Sequence, residues 1–124
     1  MIIIRNADSD LLIRELCAKC SFRPDENTGV YMVFEDAKPV GNCIYKLVGD
    51  KGMLIFADHN ITESAEISDL TLRTVTDWMM RYGAKELTSY AAFPEKVYRA
   101  LGFTVTDDFA FADLTNFSLS HCCH

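Results

Sequence analysis

The feature that most constrains the fold is a long amphipathic segment in the second half of the chain. Apolar side chains recur at helical spacing from Ile67 to Tyr82, acidic residues occupy the first turns, and Gly83 follows directly. Negative charge near the start of a helix complements the helix dipole, and a glycine after the last turn commonly ends the helix. The pattern predicts a helix with one buried face, capped by Asn60 or Thr62.

The segments around this helix alternate between strand and helix signals. A polar loop is predicted at residues 23–27 and turns at 36–41, which contain a proline, and at 49–52. The run 53–57 is apolar without alternation, which is typical of a central strand covered on both faces. We therefore predict an α+β, or mixed α/β, fold whose sheet begins as a meander. Strands are predicted at 1–5, 30–34, 42–48, 53–57, 86–90, 103–105 and 109–114, and further helices at 9–17, capped by Asp8 or Ser9, and at 94–101.

Length and charge exclude several classes of protein. A chain of 124 residues with 49% hydrophobic content fits a single domain over residues 1–124. Its net charge of −6 argues against a nucleic-acid partner, because phosphate backbones require a basic stripe. The apolar run at residues 1–4 is too short for a signal peptide, and no run reaches membrane-spanning length. We expect a cytoplasmic protein that binds neither nucleic acid nor a membrane.

Five cysteines in such a chain are expected to be reduced thiols. Cys17 and Cys20 have the spacing of a redox or zinc pair, and the tail His121-Cys122-Cys123-His124 offers four soft ligands. The pair falls on a predicted helix without a second spaced pair, and adjacent tail residues seldom wrap one ion. We therefore interpret the cysteines as a thiol pair on a helix face and a loose tail, and predict no bound metal.

The segment from Tyr98 to Gly102-Phe103 follows the long helix, Gly83, a strand and a helix opened by Pro94. In this order and in its Tyr-x-x-x-Gly-Phe string, the chain resembles the GNAT superfamily of acyl-CoA N-acyltransferases. The predicted turn at residues 36–41, before the third strand, is also similar to the turn that the family usually has there. The resemblance implies a GNAT-like central mixed, mostly antiparallel sheet with flanking helices.

The resemblance also implies acetyl-CoA as the co-substrate. In the family it lies in a cleft where two strands splay apart, here residues 53–58 and 86–90, with its pantetheine on exposed backbone. Its pyrophosphate sits on the amides that open the long helix. Carried over to this sequence, the expected cofactor-binding residues are Phe56, Ala57, Asp58, Ser64, Ala65 and Tyr98.

The same resemblance suggests catalytic residues. In the family a tyrosine at the position of Tyr98 commonly protonates the departing thiolate, although the ring could equally serve only to pack the last helix onto the sheet. The predicted fourth strand lacks the glutamate that many members use as a base. Asp58 or His59 could deprotonate the amine instead, and both could also be ordinary turn and cap residues.

The sequence departs from the family at the phosphate loop. Residues 59–66 contain no glycine, and Glu63 and Glu66 place negative charge near the expected pyrophosphate. The family frequently has an asparagine before its last helix, and Ala91 or Ala92 stands in its place here. Two functions stay open: an N-acetyltransferase acting on a small-molecule or peptide amine, and a non-catalytic GNAT-like binding or regulatory domain that has lost CoA. Exposed edge strands near residues 109 to 119 allow a homodimer, with a monomer as the alternative.

Overall fold

The structure is a computed structural model that describes residues 1–115. The predicted Cys and His cluster at residues 121–124 lies outside this range. The described elements are, in chain order, β1 (Ile2–Asn6), α1 (Asp10–Ala18), β2 (Thr28–Glu35), β3 (Lys38–Val48), β4 (Lys51–Ala57), α2 (His59–Thr62), α3 (Ala65–Arg81), β5 (Glu86–Ser89), α4 (Glu95–Ala100), β6 (Thr104–Val105) and β7 (Ala110–Asp113).

The seven strands form one sheet in the order β1-β2-β3-β4-β5-β7-β6. Within the described residues, β4 and β5 are the one parallel pair, and all other neighbours are antiparallel. The mixed, mostly antiparallel sheet predicted from the sequence is therefore confirmed. Of the edge strands predicted near residues 109 to 119, the described strand β7 pairs with β5 along its length and with β6 at Ala110 and Phe111. Residues 116–119 lie outside the described range.

The helices cover the two faces of the sheet unequally. The larger core joins α3 and α4 to one face, through residues such as Leu72, Tyr98 and Leu87. The smaller core joins α1 to the opposite face, where Cys17 packs with Ile44. Because successive strand residues point to opposite faces, both cores draw on β2, β3 and β4. Within the described part of the chain, no helix combines the length and apolar character needed to cross a membrane.

The long helix is confirmed, but its cap is not the predicted one. Ser64 caps α3 by accepting a hydrogen bond from the Ile67 N–H at 3.2 Å. Asn60 and Thr62 instead belong to the unpredicted short helix α2, whose first turn follows β4 almost directly. The predicted caps Asn60 and Thr62 lie four and two residues before the observed cap Ser64.

The β2–β3 hairpin turns at only two residues. Asp36 and Ala37 have φ angles of 51° and 70°, which two-residue hairpin turns commonly require. Pro39, predicted to lie in the turn, is in β3 opposite Phe34. It is tolerated there because β4 pairs with β3 only as far as Cys43, so the missing N–H of Pro39 leaves no ladder bond unmade.

Candidate functional site

The central feature of the candidate site is a split in the sheet between β4 and β5. Their pairing ends at Leu54 and Ser89, with one further bond from the Tyr90 N–H to the Leu54 carbonyl at 2.8 Å. β4 then continues to Ala57 with β3 as its partner. Three residues of a central strand thus have no neighbour on the β5 side, which leaves a strand edge open to a ligand.

A β-bulge at the same level explains the split. The β3–β4 register passes from Tyr45 opposite Leu54 to Ile44 opposite Phe56, so Ile55 is an extra residue on β4. An extra residue bends the bulged strand and increases its local twist. β4 therefore turns away from β5 directly after their last pair.

The predicted cofactor residues of β4 lie on this open segment. Phe56 is half-buried in the α1-side core, and Ala57 is 6% exposed in the α3-side core. Their side chains are thus held by packing, and the part of β4 that faces the split is backbone. Contact of these two residues with a cofactor stays a prediction.

The Tyr98 hydroxyl lies where the two strands separate. Its oxygen is 2.6 Å from the Ser89 Oγ and 2.6 Å from the Ala91 carbonyl oxygen. A carbonyl only accepts, so the single Tyr98 proton must be donated to Ala91. Ser89 must then donate to the Tyr98 oxygen. The result is an ordered row of two hydroxyls that ends on the backbone just beyond β5.

The Tyr98 ring is fixed by aromatic neighbours. Phe93 meets it edge-on, with ring centroids 5.8 Å apart, and Phe103 lies 5.4 Å away. The side chain is 4% exposed, and burial raises the pKa of its hydroxyl to about 12. The hydroxyl therefore remains protonated through neutral pH, as a general acid must. The geometry accommodates both predicted roles of Tyr98, packing and proton donation.

Asp58 and His59 follow β4 but differ in their surroundings. The Asp58 Oδ2 accepts a hydrogen bond of 2.6 Å from the Asn42 N–H, which fixes the carboxylate against β3. A Cβ on Gly41 would come within 2.7 Å of the Asp58 Cβ, so glycine makes room for this arrangement. His59 is largely exposed and contacts Glu63 at 3.0 Å. Of the two predicted bases, Asp58 is the one that is held in place.

The start of α3 carries the groups expected to meet a diphosphate. The first N–H groups of a helix have no partner within it, and Ala65 and Glu66 occupy those positions. Ser64 and Ala65 are small, and Ala65 is exposed, so the backbone there is accessible. The donor set therefore fits an anion, although Glu63 and Glu66 border it. Glu63 is engaged by His59, which compensates its charge when the imidazole is protonated.

The cysteines form no metal site in the described residues. Within residues 1–115, no group of three or more Cys, His, Asp or Glu side chains could hold an ion. Cys17 and Cys43 are buried, and burial raises the pKa of both thiols, that of Cys43 to about 12. Burial also raises the pKa of the half-exposed Cys20, and nearby Asp58 adds to the effect. None of the three is an activated thiolate.

Ser89 is the site residue that sequence reasoning missed. It alternates with Leu87, so a strand at 86–89 places both on the same inward face. A serine at a buried strand position needs a hydrogen-bond partner. That requirement could have identified Ser89 from the sequence as a member of a buried polar contact.

Comparisons with known proteins identify structural neighbours only. No protein-family model matches the sequence, and no curated protein matches it significantly. The ribosomal-protein-S18-alanine N-acetyltransferase from Escherichia coli is 15% identical, with 97% of this chain and 98% of that chain covered and a TM-score of 0.65. An N-acetyltransferase from Staphylococcus aureus Mu50 is 13% identical, with coverage of 94% and 99% and a TM-score of 0.64.

A third structure contains coenzyme A. The PaiA N-acetyltransferase from Thermoplasma acidophilum, in complex with coenzyme A, is 21% identical and has a TM-score of 0.52. The match covers 82% of this chain and 67% of that chain. At these identities the likeness establishes a shared fold.

Proposed function

Since the chain has the GNAT fold, we propose that it transfers an acetyl group from acetyl-CoA to an amine. The observation that carries this proposal is the split between β4 and β5 at the Ile55 bulge, with the Tyr98 hydroxyl beside it. An unpaired edge inside a sheet is costly unless something satisfies its backbone groups. An extended chain of amides, such as pantetheine, matches that edge.

Each part of the co-substrate would have a corresponding part of the protein. The open backbone at Phe56 and Ala57 would hold the pantetheine amides, and the amides at Ser64 and Ala65 would face the diphosphate. Tyr98 would lie near the thioester sulfur. Acetyl-CoA would supply an activated acyl group with a thiolate as its leaving group.

The residues of the chain account for the proton movements. As the amine nitrogen forms its bond to the carbonyl carbon and the carbon–sulfur bond breaks, the sulfur gains negative charge. Tyr98 would turn its O–H from the Ala91 carbonyl and give its proton to that sulfur, while Ser89 donates to the phenolic oxygen left behind. Asp58, directly or through water, would take a proton from the incoming ammonium. Its bond from the Asn42 N–H holds the carboxylate in position.

Calorimetric titration with acetyl-CoA tests the proposal, with ATP as a polyanion lacking pantetheine. We expect specific micromolar binding of acetyl-CoA. Ala65→Glu should abolish it, because the added charge occupies the diphosphate position, while acid in a first helical turn leaves the fold intact. Leu11→Glu is a matched control, since this exposed residue lies in the first turn of α1.

Two results would contradict the proposal, the first its activity and the second its binding site. Absence of binding up to millimolar acetyl-CoA would favour the non-catalytic binding domain. Binding that is equal in the Ala65→Glu variant would place the ligand away from α3. Incubation of the protein with acetyl-CoA and a panel of amines then measures transfer directly.

A further inference from the structure

A cavity opens beside the split, at the carboxyl end of β5. It has a volume of about 270 Å³ and lies between the end of β5, the start of α4 and the β6–β7 turn. Tyr98 forms part of its wall, so it is contiguous with the proposed reaction centre. The side chains that matter for its chemistry are those of Tyr90, Glu95, Asp107, Asp108 and Phe109.

The charge of this cavity has a single sign. Its lining includes Glu95, Asp107 and Asp108 and contains no Lys, Arg or His. Glu95 is paired with Arg99 at 3.2 Å, while Asp107 and Asp108 make no ion pair among residues 1–115. An anion such as the diphosphate of CoA would be repelled here, whereas an organic cation would be attracted.

The turn that carries these carboxylates is ordered by Thr106. Its Oγ donates to the Phe109 carbonyl at 2.9 Å and accepts from the Phe109 N–H at 3.2 Å. The Asp108 N–H also donates to this oxygen, at 3.4 Å. The two aspartates are therefore presented on a closed turn.

Two aromatic rings at the same cavity are exposed. Tyr90 is 54% and Phe109 38% exposed, and their ring centroids lie 6.2 Å apart at an angle of 59°. Exposed rings near unpaired carboxylates suit an ammonium group with an apolar body, because the rings attract both parts. A zwitterionic amino acid fits less well, since its carboxylate would face Asp107 and Asp108.

We infer that this cavity, which we term the acceptor pocket, binds the acyl acceptor as an alkyl- or arylalkylammonium ion without a carboxylate. This inference rests on the proposed function and adds the class of its substrate. The bound ammonium gives one proton to Asp58, directly or through water, to become the nucleophile. As the nitrogen–carbon bond forms and the carbon–sulfur bond breaks, Tyr98 protonates the departing thiolate. The nitrogen then loses its second proton, which returns through water to the Tyr98 oxygen and restores the phenol.

Binding of three matched probes to the full chain tests the pocket without any need for turnover. Phenethylammonium, 2-phenylethanol and phenylacetate share a ring and differ in charge, and their binding is followed by NMR titration. We expect only the ammonium to bind well. The double variant Asp107→Asn, Asp108→Asn should weaken its binding about fivefold, as expected for partly exposed charges. Tyr90→Ala should weaken it further, whereas Asp50→Asn, in the β3–β4 turn, should have no effect.

Equal binding of the alcohol and the ammonium would overturn the inference, as would ammonium binding that is insensitive to the double variant. The proposed function fails separately. Charge-dependent ammonium binding in a protein that does not bind acetyl-CoA would refute the acetyltransferase and retain the cation pocket. Acetyl transfer that is insensitive to both aspartates would retain the enzyme and refute the acceptor pocket.

Discussion

The two walls of the split are built in opposite ways. On the β5–α4 wall, Ser89, Tyr98 and the Ala91 carbonyl form a buried hydrogen-bonded row, braced by two aromatic rings. On the β4–α3 wall, the start of α3 carries the small residues Ser64 and Ala65 and is bordered by Glu63 and Glu66. The first wall is buried and hydrogen-bonded, whereas the helix start on the second is exposed.

This difference gives the two walls different expected roles, one in the chemical step and the other in acetyl-CoA binding. The first wall holds the Tyr98 hydroxyl in one place, and its proton, which points at the Ala91 carbonyl, would turn to the thiolate sulfur for general acid catalysis. The exposed wall offers backbone amides to an anion but opposes it with two carboxylates. We therefore expect changes to the first wall to alter the rate of transfer, and changes to the second to alter acetyl-CoA binding.

The largest effect should come from Tyr98→Phe. Loss of the proton donor should lower kcat on the order of 100-fold, because general acids typically contribute that much or more. Steady-state kinetics with Tyr82→Phe as the control checks this, since Tyr82 is 57% exposed at the end of α3. A kcat within threefold of the wild-type value would show that Tyr98 only packs the helix.

Alkaline pH should destabilise the fold, in part through Tyr98 on the same wall. Burial raises the pKa of Tyr98 to about 12, and that of Cys43 also to about 12. The folded state therefore holds protons that the unfolded chain has released, and stability is lost as pH rises from about 9 towards 12. Tyr98 alone should account for about 2–3 kcal/mol.

Urea unfolding at pH 8, 10 and 11.5 measures this dependence. Tyr98→Phe should be less stable at pH 8, because a buried carbonyl and a hydroxyl lose their partner, but its stability should fall less steeply with pH. An identical slope in both proteins would show that the Tyr98 hydroxyl reaches solvent.

Ser89→Ala should have a smaller effect, lowering kcat about tenfold with little change in the KM for acetyl-CoA. The Ser89 hydrogen bond lowers the pKa of Tyr98, opposing the effect of burial, so its removal should move the alkaline limb of the kcat profile upward. Thr76→Val is the control, because it removes a buried hydroxyl without a hydrogen-bond partner. A large rise in KM with an unmoved alkaline limb would indicate a purely structural serine.

The smallest effect is expected on the exposed wall. Glu63→Gln and Glu66→Gln should each tighten acetyl-CoA binding about threefold at low salt, and less at high salt, because one screened repulsion is removed. Glu15→Gln, on the exposed side of α1, should change nothing. Weaker binding in either variant would mean that these carboxylates contact the ligand favourably.

Much of the fold could be predicted from the sequence because its signals are local. Helical spacing located α3, Pro94 marked the start of α4, and Ser9 is the cap of α1, one of the two residues predicted for that role. The error at Pro39 has a cause outside its own segment. Pro39 reads as a turn residue, and only the absence of a β4 partner at that level allows it to lie in a strand.

The candidate site could be predicted only in part. Tyr98 was identifiable from its position before Gly102-Phe103 through the family resemblance, but its partners depend on contacts across the fold. Ser89 and Ala91 meet it only because α4 packs onto the end of β5. The acceptor pocket likewise joins residues from three separate elements, a combination that no single stretch of sequence reveals.

The extra residue in β4 determines how the cleft responds to substitution and to deletion. Leu54 and Ala57 contact one core and Ile55 and Phe56 the other, so the strand resumes its alternation one position out of phase. The opening is therefore encoded by the number of residues in the strand rather than by their identity. Substitutions at position 55 can accumulate while the cleft persists, whereas loss of that one residue would let β4 realign and close it.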